Sequence, residues 1–252
     1  MNYKTFTGMV LRHDPLRETD EIVTFWSWEE GKVRLLVRGV RKQDSRLKTI
    51  LSPLTWLALH AVPSSYLPVV TSAKAIKSFS GISSSLNGFA LIFGVFEMVL
   101  KTTPDGQPNE ELTMLLRKGL EHLDEGKSAG LDFMIDFKLG LFSALGYQLS
   151  FSRCVHCQSE NSEREGQTGH FSQLAAGLLC KNCHYRFSDA KSTDLRLFQY
   201  LNKLGSTETQ FLITPAGDYL KKQADGLLSD FLLFVTEREM KSKKFLEQNI
   251  KA

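Results

Sequence analysis

The stretch "DEIVTFWSWEEGKVRLLVRG" (Asp20–Gly39) decides how the first part of the chain folds. Asp20–Trp28 and Gly31–Gly39 are short runs rich in β-branched and aromatic residues, and the turn former "EEG" separates them, the pattern of two adjacent strands. In the second run Val33, Leu35 and Val37 share one side of a pleated strand, while Lys32, Arg34 and Arg38 share the other. The apolar set is expected to face a core and the cations to form a row outside it. Three further runs, Tyr3–His13, Leu54–Val62 and Pro68–Phe79, have the same composition, with turns at "DPLRETD", "QDS" and "VPSS". Five short strands within about 80 residues predict a small closed or nearly closed barrel.

From Gly81 onward the period changes. Ile82–Lys101, Glu110–Asp124, Leu131–Leu145, Leu195–Leu204 and roughly Pro215–Phe234 carry apolar residues at helical spacing. Asn109 is placed to cap the second of these helices, whose first turn holds Glu110 and Glu111 where the dipole favours acids. Thr214 and Pro215 read as a cap and a first helical residue. The expected organisation is a barrel over residues 1–80 and a helical domain over residues 81–252, with a non-helical insert at about 150–189.

Composition sets the class. The 252 residues are 42% hydrophobic and 23% charged, ordinary for a folded protein with a sizeable core. "MNYKTFTGMV" has no basic start followed by an apolar run, so no secretory signal is expected. The longest apolar stretch, Gly88–Leu100, contains Glu97 and is too short to cross a bilayer; it reads as a buried helix. No internal repeat or low-complexity tract is present.

The insert holds all four cysteines, as Cys154-x2-Cys157 and Cys180-x2-Cys183 with 22 residues between the pairs. Two such turns facing each other build a tetrahedral thiolate site that suits structural zinc, because four soft ligands leave no open position. Without an export signal, metal is preferred over disulfides and a reducing cytoplasm over an oxidising compartment. His156 and His184 adjoin the cysteines and could replace one of them, but the symmetry of the pairs favours an all-cysteine set; His170 reads as a surface histidine. A redox CxxC lacks its βαβ context, and base deamination lacks the upstream H-x-E and the proline before the second pair.

Catalytic signatures fail. "GLEHLDEGKS" (Gly119–Ser128) places six residues between its glycines and follows a helical run, so it is no phosphate-binding loop. There is no G-x-S-x-G, no H-E-x-x-H and no evident carboxylate pair, and nothing supports an enzyme.

The charge pattern is more informative. Lys32–Lys48 contains seven Lys or Arg and one acid, a local +6 in a chain of net +3, so the remainder is net negative. Lys32, Arg34, Arg38, Arg41, Lys42, Arg46 and Lys48 would run from a strand into a flexible loop and make a track for several phosphates, with Trp26 and Trp28 as stacking candidates. Core filling is the plainer reading for a strand tryptophan, and protection of a strand edge is the plainer reading for the strand cations. A second cluster, with Lys203, Lys221, Lys222 and the terminal "REMKSKKFLEQNIK", reads as a solvated helix face and a frayed end.

"VLRHDPLRETDEIVTFWSWEEGKVRLLVRGVRKQDSRLKTILSPL" resembles the N-terminal barrel of the RecO family of bacterial recombination mediator and DNA-repair proteins, in its E-x-D, G-K turn, "RG" and basic "SRL". "FMIDFKLGLFSALGYQLSFSRCVHC" resembles the family's helix ending in "LGY" before its zinc motif, and "GLLC" the approach to the second pair; here "AAGLLC" replaces a glycine pair. The resemblance implies an oligonucleotide-binding (OB) fold, then a helical domain with a zinc site that some relatives have lost. It implies binding of single- and double-stranded DNA, annealing of complementary strands and help in loading recombinase onto strands coated with single-strand-binding protein. The implied partners are RecR and the acidic C-terminal tail of that coating protein, with a cytoplasmic, nucleoid-associated location. By position, Lys32, Arg34, Arg38, Arg41, Lys42 and Arg46 match the family's basic strand and loop. Two other readings share the same parts: an adaptor whose barrel binds acidic peptides, and an RNA-binding translation or ribosome factor.

Overall fold

The computed structural model describes residues 3–126, 130–160, 168–205, 211, 216–242 and 245–246. Its elements run β1 (Lys4–Pro15), β2 (Glu21–Ser27), β3 (Gly31–Val37), α1 (Arg46–Ile50), β4 (Thr55–Val62), β5 (Val69–Ser78), α2 (Ser80–Ser83), α3 (Leu86–Thr102), α4 (Glu110–Asp124) and α5 (Leu131–Ala144). They continue with β6 (Thr168–Ser172), β7 (Gly177–Leu179), β8 (Lys191–Asp194), α6 (Leu195–Gly205) and α7 (Asp218–Thr236).

The first five strands close a barrel in the order β1-β2-β3-β5-β4, the order of an OB fold. β1 serves two neighbours: it pairs with β4 from Lys4 to Met9 and with β2 from Gly8 to Pro15, helped by a register shift between Val10 and Arg12. Such an irregularity bends a strand and lets it turn a barrel corner. Closure between β3 and β5 is brief, through Leu36 and Val69. The interior holds Phe6, Val10, Val23, Phe25, Leu35, Val37, Leu57 and Leu59. Leu35 and Val37 are fully buried and Val33 packs partly against them, as the period-two pattern requires.

The chain divides into two compact units, residues 1–127 with 240–246, and residues 128–239 with 247–252. This division lies beyond α4, while the change from strands to helices lies near residue 80; the outer face of β2 is covered by helical residues of the first unit, with Trp26 hydrogen-bonded to Thr113. β2 is buried at every position from Ile22 to Ser27. α3 is buried around most of its circumference, including Ala90, Leu91, Val95 and Phe96. Within it, Glu97 accepts backbone N–H groups of Lys241 and Ser242 at 2.7 and 2.8 Å and pairs with Lys101 at 2.8 Å. Despite partial burial, these donors hold its carboxyl down to about 2. The charge inside the apolar stretch thus anchors the returning C-terminal segment. Asn109 caps α4 by accepting from Leu112 N at 2.8 Å.

In the second unit, a three-stranded sheet of order β7-β6-β8 lies within and just beyond the cysteine-rich insert, where no strand was expected. Its strands are only three to five residues long, too short to show a period in the sequence. Tyr200 Oη donates to Asp132 at 3.0 Å and Lys221 pairs with the same carboxylate at 2.6 Å. Lys221 is therefore not a solvated cation, because Asp132, on α5, draws it inward. Thr214 and Pro215 lie outside the described residues, as do the lysines at 243 and 244. Among the described residues no helix is long and apolar enough to cross a membrane.

Candidate metal centre and nucleic-acid interface

The two cysteine turns are built locally. Cys183 N and His184 N both donate to Cys180 O, at 3.0 and 3.1 Å. In the first turn Gln158 N donates to Cys154 O at 2.8 Å, and Gln158 takes φ 61° to close the loop. Val155 N donates to Leu178 O, and Leu178 N to Ser150 O, so β7 holds the first turn in place beside the second.

The Sγ atoms of Cys154, Cys157, Cys180 and Cys183 all lie within 4.8 Å of one another, and none forms a disulfide. Cys157 and Cys180 are 3.7 Å apart at sulfur, against roughly 3.8 Å for thiolates on one tetrahedral zinc with Zn–S of about 2.3 Å. The donor set fits a metal ion. Four thiolates would fill a tetrahedral coordination sphere, the arrangement of a structural site.

Cys157 is the exposed member. The Ser159 hydroxyl, 3.1 Å away, and the Ser159 backbone N–H hold its thiol down to about 6. Burial pushes Cys183 well above the usual thiol range; a bound cation reverses that, because a coordinating thiol loses its proton. His156 falls outside the four-cysteine group, with its Nδ1 3.5 Å from Cys183 Sγ at the edge of the thiol cluster. His184 Nδ1 turns to Lys181 O at 3.0 Å, and its ring stacks on His170 at 3.8 Å. Ser159 was not legible as a partner from the cysteine spacing; a hydroxyl two residues past a turn cysteine is the signal that marks it.

The basic segment is only partly as expected. Arg34, Arg38, Arg41, Lys42, Arg46 and Lys48 are exposed. Gly39 takes φ 63° and donates its N–H to Asp20 Oδ1 at 2.8 Å, an interaction that lowers the Asp20 carboxyl. This turn redirects the chain between Arg38 and Arg41. Arg41 reaches Arg17 O at 3.2 Å and stands 3.9 Å from Glu21. Arg46 and Lys48 sit on the short helix α1 and not in a flexible loop; Leu47 anchors α1 against the barrel core.

Two members of the expected interface lie elsewhere. Lys32 turns inward: its ammonium donates to Leu100 O at 3.0 Å and to Thr103 O, and pairs with Asp105 at 3.3 Å. Carbonyls at the C-terminal end of a helix attract a cation, and Lys32 satisfies them instead of extending the outer row. Trp26 is fully buried, with Nε1 donating to Thr113 Oγ1 at 2.9 Å, so it is no stacking residue. Thr113 was not singled out in the sequence, where nothing links it to a residue 87 positions away. Trp28, just past β2, remains 39% exposed.

The comparisons with known proteins agree with this architecture. The model "Recombination protein O N terminal" matches residues 1–79, and "Recombination protein O C terminal" matches residues 84–244. A protein of Bacillus pumilus named DNA repair protein RecO is 31% identical over 250 residues, covering 96% of this chain and 92% of its own. Its namesake in Bacillus subtilis is 30% identical over 254 residues with the same coverage, and that of Symbiobacterium thermophilum is 27% identical over 242 residues, covering 95% of each. With a closed five-stranded barrel, helices and a four-cysteine centre in the order those family models span, the chain belongs to the recombination protein O family of DNA repair proteins.

Proposed function

We propose that the chain acts without catalysis as a recombination mediator: it binds single- and double-stranded DNA, anneals complementary strands and helps load recombinase onto strands coated by single-strand-binding protein. The observation that carries this reading is the exposed run Arg34, Arg38, Arg41, Lys42, Arg46 and Lys48 on one barrel segment, where among the described residues the closest carboxylate pairing is the 3.9 Å approach of Arg41 to Glu21. Cations left free in this way neutralise phosphates. On two strands at once, they weaken the repulsion that opposes pairing. Trp28 supplies the exposed aromatic face. RecR and the acidic tail of the coating protein are the partners, the cytoplasm and nucleoid the location, and zinc the metal that ties Cys154, Cys157, Cys180 and Cys183.

A salt titration of binding to labelled single-stranded DNA tests the reading. Contacts to about 4–6 phosphates give a log–log slope of roughly −3 to −4, and replacing Arg34, Arg38, Arg41 and Arg46 by Ala flattens it by about 2–3. Absence of wild-type binding at low salt sinks the proposal. An acidic peptide that binds where DNA does not would favour the adaptor reading instead.

A further inference from the structure

The second cysteine turn leads into residues the basic barrel does not account for. After Cys183 the chain makes a 3-10 turn, His184–Arg186. Both of its flanks are fixed. The His184 ring lies flat on His170, with centroids 3.8 Å apart and planes 7° apart, and Phe187 packs into the cysteine cluster. Arg186 N donates to Cys183 O and Phe187 N to His184 O, at 3.1 and 3.0 Å. Between these anchors Tyr185 is held outward, 69% exposed. An aromatic ring on a stiff turn, with its neighbours packed inward, is presented to solvent at little further cost in conformational entropy.

The electrostatic surroundings are one-sided. Residues 168–188 contain no Asp or Glu. The next acid, Asp189, points inward, accepting from Ser172 Oγ at 2.8 Å and Leu174 N at 2.9 Å. Lys181 and Arg186 are exposed, and neither has a carboxylate partner among the described residues. In the same unit Lys138, Arg153, Lys191, Arg196 and Lys221 each have one. The Arg186 guanidinium sits 5.8 Å from the Tyr185 ring, close enough for cation–π attraction. A base-sized aromatic face thus shares one short turn with two exposed cations that have no carboxylate partner among the described residues.

We propose that the turn Lys181–Arg186 is a second contact for single-stranded DNA, in which Tyr185 stacks on an unpaired base while Lys181 and Arg186 take the flanking phosphates. It rests on the DNA-binding reading above but assigns a separate site, in the second unit. The four cysteines set the shape of the turn and do not touch the strand.

The test uses the full chain and a fluorescein-labelled oligothymidylate, with zinc content and circular dichroism checked for every variant. Tyr185→Ala weakens binding roughly 5- to 100-fold, the span expected for loss of one stacked base, and Tyr185→Phe retains it. The double variant Lys181→Ala/Arg186→Ala flattens the salt slope by about 1–2. In a second, folding-independent readout, an oligonucleotide carrying 5-iododeoxyuridine cross-links to Tyr185 of the wild type on irradiation. Affinity and slope unchanged in these variants, while the Arg34/Arg38/Arg41/Arg46 variant loses binding, overturn this site alone, as do cross-links confined to barrel peptides. No binding by the wild type overturns both this site and the mediator reading.

Discussion

The indole N–H of Trp26 donates to Thr113 Oγ1 at 2.9 Å, and the Thr113 hydroxyl in turn donates to Asn109 O at 2.7 Å. One buried hydroxyl therefore satisfies a barrel tryptophan and the first turn of α4 together. Thr113→Val keeps the shape and leaves the indole N–H unpaired, at a cost of about 1–3 kcal/mol. For a chain of this size that lowers Tm by roughly 2–4 °C per kcal/mol. Thermal unfolding should show the drop while the salt slope of DNA binding stays at the wild-type value. A flattened slope would mean that this face meets DNA after all.

Lys32 and Arg34 are two residues apart on β3 and should behave in opposite ways. Lys32→Met strips Leu100 O and Thr103 O of their donor, destabilising the fold by about 1–3 kcal/mol with the salt slope unaltered. Arg34→Ala leaves stability within about 0.5 kcal/mol, as for an ordinary surface change, and flattens the slope by about 0.7. Denaturant unfolding and a salt titration on the same two variants check both halves.

The thiolate cluster predicts one zinc ion per chain. Structural zinc in small fingers contributes about 10–16 kcal/mol, so a strong chelator should open residues 150–160 and 168–189 first, read as lost protection in hydrogen exchange. The barrel amides should keep their protection. Metal analysis that finds no zinc with four free thiols would contradict the assignment.

Asp136 is 6% exposed, has no hydrogen-bond partner among the described residues and faces Asp132 one helical turn away. Burial first, then the neighbouring charge, raises its carboxyl from 3.8 to about 7. Between those values the folded chain holds a proton that the unfolded chain has lost. This contribution to stability is therefore complete below about pH 4 and declines up to about pH 7. Asp136→Asn removes the decline, and should raise Tm at pH 8 with little effect at pH 4. Equal Tm gains at both pH values would show that the carboxyl does not titrate there.

Much of this was written locally. The strand and helix limits follow from period-two and helical spacing, which depend only on near neighbours. Asn109 caps α4 because capping needs three residues of chain. The four-cysteine set was legible because the spacing of each CxxC turn fixes its own geometry. The β6–β8 strands were not, since strands of three to five residues carry no measurable period.

Tertiary structure decided what each exposed-looking face meets. Sequence alternation put Lys32 opposite the barrel interior and left Trp26 between core filling and base stacking, and nothing local says whether either side chain faces water or protein. Thr113 and the carbonyls of Leu100 and Thr103, some 70 to 90 residues away in the chain, answer the question for both. The cations Arg34 to Lys48 stay exposed, and among the described residues their one ion pair is the 3.9 Å approach of Arg41 to Glu21. Local pattern determined most of the elements and the four-cysteine set; partners from distant sequence determined which polar groups were left exposed.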